Sequence, residues 1–292
     1  MTMFKLKPAC KNYLWGGDRL ARDFNIHSDD KIIAEAWTLS CHPDGLSEII
    51  TGKFAGKTLR EYLNTEKFPV LIKLLDVHDK VSIQVHPDDK YALKHENQLG
   101  KNEFWYIVDA EPDSYIYYGF KREISKDEFI KRVHENNLLE VLNKIHVHKG
   151  ESYFINSGTL HAAGNGVLLA EIQESSNVTY RIYDYDRIDA NGNKRALHLE
   201  KALDVLNFKP TDSKKFSKHL ADCKYFTVDK INLHGEFSNT VEKNFVNILV
   251  LSGAGKIISG DDELDFIKGD SIFISGGAYK IIGDGELLIT AD

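Results

Sequence analysis

Three short segments of the sequence carry side chains that bind metals in other proteins. Gln84 and His86 are two residues apart in an apolar, β-branched stretch, and Lys101 and Glu103 follow a short polar insert. Alternate side chains of a β-strand point to the same face, so Gln84 and His86 would face one cavity. His161, just beyond a Ser-Gly turn, offers a second imidazole. An amide oxygen, two imidazoles and a carboxylate suit a divalent metal, so we predict a metal site at Gln84, His86, Glu103 and His161.

Each of these side chains also has a purely structural interpretation. His86 could end a strand before a capped helix, Glu103 could be an exposed strand residue, and His161 could close a loop. Their combination favours a metal, because metal sites recruit ligands from strands that face one interior. His146 and His148 share a strand face and form a second, weaker metal hypothesis, since no carboxylate accompanies them at ligand spacing.

Three more charged residues lie in stretches that are otherwise apolar or aromatic. Arg181 could pair with a nearby aspartate at the surface, or act as a fork for a phosphate or an oxyanion. Glu171 could face solvent, or serve as an acid and base in an apolar strand. Lys73 could extend to the surface, or point into a pocket.

Composition narrows the class of protein. The chain has 292 residues, of which 42% are hydrophobic, so it can form substantial cores. Its net charge of -7 and the lack of a basic block disfavour nucleic acid as a partner. The three cysteines form no Cys-x-x-Cys pair, which fits a reducing compartment and disfavours cysteine-ligated zinc. No apolar run approaches the ~20 residues of a membrane span, so we expect a cytoplasmic protein without a membrane partner.

The element pattern predicts a mainly β fold made of two β-barrel or sandwich units with a small helical insertion. From about Tyr225 the predicted strands are short and separated by glycines, which is typical of a sandwich or small barrel. The clearest helix is predicted at 125–136, where Ser125 and Glu128 form a capping box. The expected boundaries are a domain at 1–207 with a helical segment at about 122–143, a linker at 208–224, and a β domain at 225–292.

Several motifs resemble one known family. The runs SIQVHPD at 82–88, GKNE at 100–103, SGTLHA at 157–162 and YRIYD at 180–184 occur in this order along the chain. Together they resemble the type I mannose-6-phosphate isomerases in their short bacterial form, which belong to the cupin superfamily. The resemblance covers roughly residues 5–210.

This resemblance implies a cupin fold with two jelly-roll units, the domain at 1–207 being the catalytic one. It implies one zinc ion per chain, held by the four predicted ligands, and the interconversion of mannose 6-phosphate and fructose 6-phosphate. That reaction moves a proton between neighbouring carbons through an enediolate, whose negative oxygen zinc can stabilise. By motif position, the substrate-binding residues would be Lys73, Ser82 and Lys101, and the catalytic residues would be Arg181 and Glu171. The base that moves the proton could be Glu171, His161 or a zinc-bound water, and the sequence does not choose among them.

Two other functions remain open at this point. A cupin dioxygenase would use a similar donor set to hold iron. A regulatory cupin would bind the sugar phosphate without turning it over. Asn177 favours the regulatory hypothesis, because many relatives have aspartate there. The sequence carries no signal for an oligomeric state.

Overall fold

The computed structural model describes residues 2–188 and 192–292, and these residues are mainly in β-strands. The helices are α1 (Arg19–Phe24), α2 (Leu59–Leu63), α3 (Asp89–His95), α4 (Lys126–His134) and α5 (Leu199–Val205), with short 3-10 turns at Gly52–Phe54 and Leu138–Val141. The strands are β1 (Met3–Lys7), β2 (Ala9–Lys11), β3 (Glu35–Leu39), β4 (Glu48–Ile49), β5 (Val70–Val77), β6 (Ile83–Val85), β7 (Glu103–Ala110), β8 (Tyr115–Phe120), β9 (Leu142–His146), β10 (Ser152–Ile155), β11 (His161–Ala163), β12 (Val167–Glu174), β13 (Tyr180–Tyr183), β14 (Ala221–Asp222), β15 (Thr227–Val241), β16 (Val246–Ser259), β17 (Asp262–Ile267), β18 (Ser271–Ile274) and β19 (Gly277–Ala291). The predicted mainly β fold is confirmed. None of the helices in the described residues is long and apolar enough to cross a membrane.

The chain divides into two compact units. The central unit comprises Tyr13–Gly17 and Leu75–Lys214, and the terminal unit comprises the residues on either side, including both ends of the chain. This grouping differs from the sequence-based boundaries, which follow chain order. The division into 1–207, 208–224 and 225–292 therefore stays a prediction about domains.

Two antiparallel sheets form most of the central unit. In one, β7 lies between β10 and β12. The other has the order β13-β6-β11-β8-β9. Alternate residues of each strand point to opposite faces, so each sheet can present polar side chains on one face and apolar ones on the other.

A helical insertion follows β8 in the central unit, as the sequence predicts. Helix α4 begins after Ser125, whose hydroxyl oxygen accepts a hydrogen bond from the Glu128 N–H at 3.0 Å. Phe129 is buried in the cluster that also contains Phe120 and Leu142. Capping and one buried aromatic therefore fix this short helix against the sheet.

The terminal unit contains one large antiparallel sheet, in the order β14-β15-β19-β16-β18-β1-β4, with β17 beside β16. The prediction of short strands separated by glycine turns is confirmed for β17 and β18 but wrong for β15, β16 and β19, which run on through their glycines. Gly253 stands opposite Gly285, and Gly255 opposite Gly283. A Cβ at Gly253 would lie 1.8 Å from the Asp284 carbonyl oxygen. These glycines permit close approach of two backbones instead of ending strands.

Candidate metal centre

One row of side chains crosses the five-stranded sheet of the central unit. Gln84 on β6 stands opposite Arg181 on β13 and opposite His161 on β11. Residues directly opposite each other on antiparallel strands project from the same face, so these three side chains share one face. Ser82 lies two residues before Gln84 and is buried. The sheet register therefore gathers four of the predicted site residues.

The sheet that contains β7 and β12 supplies two carboxylates. Glu103 begins β7, and Trp105 follows two residues later on the same face. Trp105 stands opposite Glu171 on β12, and its indole N–H donates to Glu171 Oε2 at 2.8 Å. Both Glu103 and Glu171 are buried. The indole hydrogen bond fixes the orientation of the Glu171 carboxylate.

His86, Glu103 and His161 form a compact buried cluster. One ligand atom from each lies within 4.8 Å of the other two. His86 Nε2 is 3.2 Å from Glu103 Oε1, and His161 Nε2 is 3.3 Å from Glu103 Oε2. None of the three side chains is more than 1% exposed. The three residues that the sequence predicted from separate segments therefore meet at one point.

The two imidazoles are oriented by backbone carbonyls. His86 Nδ1 is 2.9 Å from the Val178 carbonyl oxygen, and His161 Nδ1 is 2.9 Å from the Thr159 carbonyl oxygen. A carbonyl only accepts, so each Nδ1 carries the proton and each Nε2 presents a lone pair towards Glu103. Glu103 Oε2 is buried without a hydrogen-bond donor among the described residues. Lone pairs that converge on a buried carboxylate oxygen fit a bound cation, and nitrogen and oxygen donors without sulfur fit zinc.

Lys101 adds a positive charge beside the cluster. Its ammonium donates to Glu103 Oε1 and lies 3.3 Å from His86 Nε2. Burial alone would raise the pKa of Glu103, but neighbouring groups, with the charge of Lys101 first among them, hold that pKa well below its usual range. Burial and the Lys101 charge lower the pKa of His86 to about 3. At neutral pH the pair is therefore a carboxylate and a neutral imidazole, which are the metal-binding forms.

Gln84 is the fourth predicted ligand, and it lies at the edge of this cluster. Its amide nitrogen is 3.4 Å from His161 Nε2. Rotation of the terminal amide exchanges its nitrogen and oxygen, so the same position can present an oxygen to a cation. Gln84 is therefore placed to join the three buried residues.

Among the described residues, Arg181 forms no ion pair with an aspartate, which its surface interpretation required. Asp184 instead accepts from the guanidinium groups of Arg187 and Arg195. Arg181 Nε donates to Ser82 Oγ at 3.3 Å, and burial, followed by the charge of Arg195, lowers the pKa of Arg181. The guanidinium is half-buried and on the same sheet face as Gln84.

The remaining predicted residues are Lys73 and the histidine pair of the second metal hypothesis. Lys73 belongs to the terminal unit, where its ammonium is buried 3.6 Å from Glu35 and 5.1 Å from the centre of the Trp37 ring. The second metal hypothesis finds no support in the described residues, because His146 and His148 are exposed and outside the cluster.

Sequence reasoning missed Trp105 and the two carbonyls that orient the imidazoles. Trp105 follows Glu103 by two residues, and that spacing was the available signal. Its opposite partner, Glu171, depends on how β7 and β12 align, which the spacing does not define. The carbonyls leave no signal at all, because every residue has one.

Comparisons with known proteins identify the family of the chain. Residues 3–125, which include Gln84, His86 and Glu103, match the family model for the catalytic domain of type I phosphomannose isomerase. Residues 216–291 match the cupin domain of mannose-6-phosphate isomerase. A mannose-6-phosphate isomerase of Bacillus subtilis is 37% identical over 308 residues, covering 97% of both proteins. One from Streptococcus mutans is 36% identical, covering 95% of this chain and 94% of the relative.

Solved structures give the same result for the fold. The crystal structure of the mannose 6-phosphate isomerase from Bacillus subtilis has a TM-score of 0.94, with 33% identity and full coverage of both chains. A protein from Archaeoglobus fulgidus, described as a mannosephosphate isomerase by similarity, has a TM-score of 0.82 at 19% identity and supports the fold alone. The chain therefore belongs to the type I mannose-6-phosphate isomerase family and has a cupin fold.

Proposed function

We propose that the protein is a zinc-dependent isomerase that interconverts mannose 6-phosphate and fructose 6-phosphate. One observation carries the proposal: two buried imidazoles, each with its Nδ1 against a backbone carbonyl, meet a buried carboxylate at one point. The names of the relatives support the substrate, because sequence identity extends over nearly the whole chain.

The metal would be held by Gln84, His86, Glu103 and His161, with one zinc ion per chain. When bound, zinc supplies a Lewis acid that stabilises negative charge on a substrate oxygen. The ligand side chains are fixed before any metal arrives, because carbonyl hydrogen bonds hold both imidazoles and the sheet holds Glu103.

The reaction requires a group that moves a proton between C1 and C2 of the open-chain sugar. Such a base must reach the migrating proton within hydrogen-bond distance. Glu171 suits this role, because it is buried, the Trp105 N–H fixes one of its oxygens, and its Oε1 is 3.9 Å from Lys101 Nζ.

Arg181 would stabilise the developing charge of the enediolate on the same sheet face. Its guanidinium carries several N–H donors in a planar fork, which suits an oxyanion or a phosphate oxygen. Ser82, which accepts a hydrogen bond from Arg181 Nε, and Lys101 would contact the substrate. Lys73 is proposed as a further substrate-binding residue on motif position alone. A cytoplasmic location also stays a proposal, which the free thiols of Cys10, Cys41 and Cys223 support.

The test is a coupled assay for fructose 6-phosphate formed from mannose 6-phosphate in deuterated water. Metal-stripped protein should be inactive, zinc should restore its activity, and deuterium should enter the fructose 6-phosphate at C1, the carbon that receives the proton. Equal rates with and without oxygen would exclude the dioxygenase hypothesis. Zinc and sugar phosphate that both bind without any product would contradict the proposal in favour of a binding protein.

A further inference from the structure

Asn102 stands between Lys101 and Glu103 and is tied to one buried carboxyl group. Its backbone N–H donates to Glu174 Oε1 at 3.1 Å, and its side-chain amide donates to the same oxygen. The backbone N–H of Glu174 donates in return to the Asn102 carbonyl oxygen at 3.2 Å. The start of β7 is therefore fastened to the end of β12 by three hydrogen bonds on one residue pair.

The same asparagine reaches the segment that leads to the second imidazole. Asn102 Oδ1 accepts from the Ser157 N–H at 2.9 Å. The next residue, Gly158, donates its N–H to the carbonyl oxygen of His86 at 2.8 Å. Through these two bonds Asn102 joins the segments that carry Glu103, His86 and His161. It is linked to the His86 segment through Gly158 and is not itself a ligand.

A second tie comes from the first turn of α3. The Gly100 N–H donates to Asp89 Oδ1 at 3.0 Å, and the Lys101 N–H donates to the Pro87 carbonyl oxygen at 3.0 Å. A Cβ at Gly100 would lie 2.4 Å from the Asp89 backbone nitrogen. Only glycine lets the segment before Glu103 approach the residues after His86 so closely.

Asp89 and Glu174 present two carboxyl groups to one another. Glu174 is fully buried, and its Oε2 has no hydrogen-bond donor among residues 2–188 and 192–292. Two ionised carboxylates offer only acceptors, so one shared proton would satisfy that oxygen. Burial, the largest cause, together with Asp89 raises the pKa of Glu174 to about 7, against the opposing effect of Asn102. Asp89, on α3, is the ionisable group that raises the pKa of Glu174. Asn102, the residue before β7, is the polar group that contacts Glu174 from the other side.

We infer that Asn102 and Glu174 are positioning residues of the metal centre, with Glu174 acting as a neutral carboxylic acid that donates to Asp89 and accepts from Asn102. The inference rests on the metal assignment of the proposed function. It adds a hydrogen-bond network, formed by residues that are not metal ligands, which holds the three ligand-bearing segments in place relative to one another.

The test compares zinc dissociation constants, measured by competition with a chromophoric chelator at pH 6.0, where a carboxyl group with a pKa of about 7 is mostly protonated. Loss of an outer partner of a metal ligand typically weakens metal binding by about 10- to 100-fold, and we expect this for Asn102→Ala and Glu174→Ala. Glu174→Gln should bind zinc as the wild type does, because the amide reproduces the acceptor towards Asn102 and the donor towards Asp89. If Glu174 acted as an ionised carboxylate instead, Glu174→Gln would lose zinc affinity.

The chain offers a matched control in the terminal unit. The backbone N–H of Asn244 and its side-chain amide both donate to the Asp292 carboxylate, and the residue is exposed. Asn244→Ala removes the same kind of contact and should leave zinc affinity unchanged.

The outcomes are separable. Wild-type protein that binds no zinc would remove the proposed function together with this inference. Wild-type binding with equal affinity in Asn102→Ala would remove the inference alone. If circular dichroism shows that both alanine variants are unfolded, the zinc affinity of Glu174→Gln becomes the test. An unchanged affinity supports a neutral acid at Glu174, and a tenfold loss of affinity contradicts it.

Discussion

Two regions bury different kinds of side chain between similar antiparallel strands: the central unit, and residues 216–292 of the terminal unit, which exclude the buried pair of Lys73 and Glu35. In the central unit, the buried polar groups include charged or metal-binding side chains from both sheets, namely His86, Lys101, Glu103, His161 and Glu171. In residues 216–292 of the terminal unit, the buried polar side chains are uncharged, namely Asn247, Ser259, Ser271 and Thr290. The long strands there pack around an aliphatic cluster that includes Ile248, Val250, Ile257 and Leu287.

This difference separates the buried side chains that stabilise the fold from the buried side chains that a reaction requires. An aliphatic interior is sufficient to stabilise antiparallel strands, because apolar burial provides the main favourable term. Buried charges cost free energy unless they are paired, so a cluster of them indicates a site rather than a requirement of the fold. Substitutions in the central cluster should therefore change activity, and substitutions in the aliphatic cluster should change stability.

The largest effect is expected for His161→Ala. Removing one imidazole should release the metal, and the loss of a Lewis acid worth several kcal/mol lowers kcat/KM by about 10³-fold or more. Metal analysis and the coupled assay measure both quantities, and circular dichroism checks the fold. His234→Ala in the terminal unit, where the imidazole is exposed, is the control and should change neither. Retained zinc and rate in His161→Ala would remove this residue from the site.

Ile257→Ala should give the converse result. Ile257 is fully buried, and truncation of such a side chain costs about 2 to 5 kcal/mol of unfolding free energy. Urea denaturation measures this loss. Zinc affinity and kcat of the folded variant should match the wild type. A large change in either would contradict the view that the aliphatic cluster determines stability and the central cluster determines activity.

Arg181→Lys should affect turnover more than substrate binding. Lysine keeps the charge but lacks the planar fork, so we expect kcat to fall by about 100-fold with a smaller change in KM. Steady-state kinetics separate the two constants. Weaker binding with unchanged kcat would restrict Arg181 to substrate binding.

The smallest effect concerns the pH dependence of stability. The folded pKa of Glu174 is raised to about 7 by burial and by Asp89. The folded state then holds this proton more tightly than the unfolded state. The stability that it contributes is present below the unfolded pKa near 4.5 and is lost as pH rises through about 7.

Urea denaturation of the metal-free wild type between pH 5 and 8 should therefore show a loss on the order of 1 kcal/mol relative to Glu174→Gln. The variant serves as the reference, because other groups titrate equally in both proteins. Parallel pH profiles would contradict a shared proton at Glu174.

Local spacing predicted much of the site but little of its supporting structure. Gln84 and His86 were predictable because strand alternation is a local rule, and Glu103 and His161 because they lie near strand starts. The pairing of Trp105 with Glu171 was not predictable, since it depends on the register of β7 and β12, which shifts between Leu168 and Leu169.

The helix after Ser125 was predictable for a similar reason, as its cap lies within four residues of sequence. The long strands of the terminal unit were not. Gly253 has the same local signal whether it ends a strand or faces another glycine across a sheet. Only the long-range pairing with Gly285 distinguishes the two cases.

The central claim is that isomerisation depends on one metal ion bound by the buried cluster. Stepwise addition of zinc to metal-stripped wild-type protein, with the rate of fructose 6-phosphate formation measured at each ratio, tests it most directly. We predict a linear rise in rate that stops at one zinc ion per chain. Full activity in the metal-stripped protein, or a rate that does not follow bound zinc, would contradict the account.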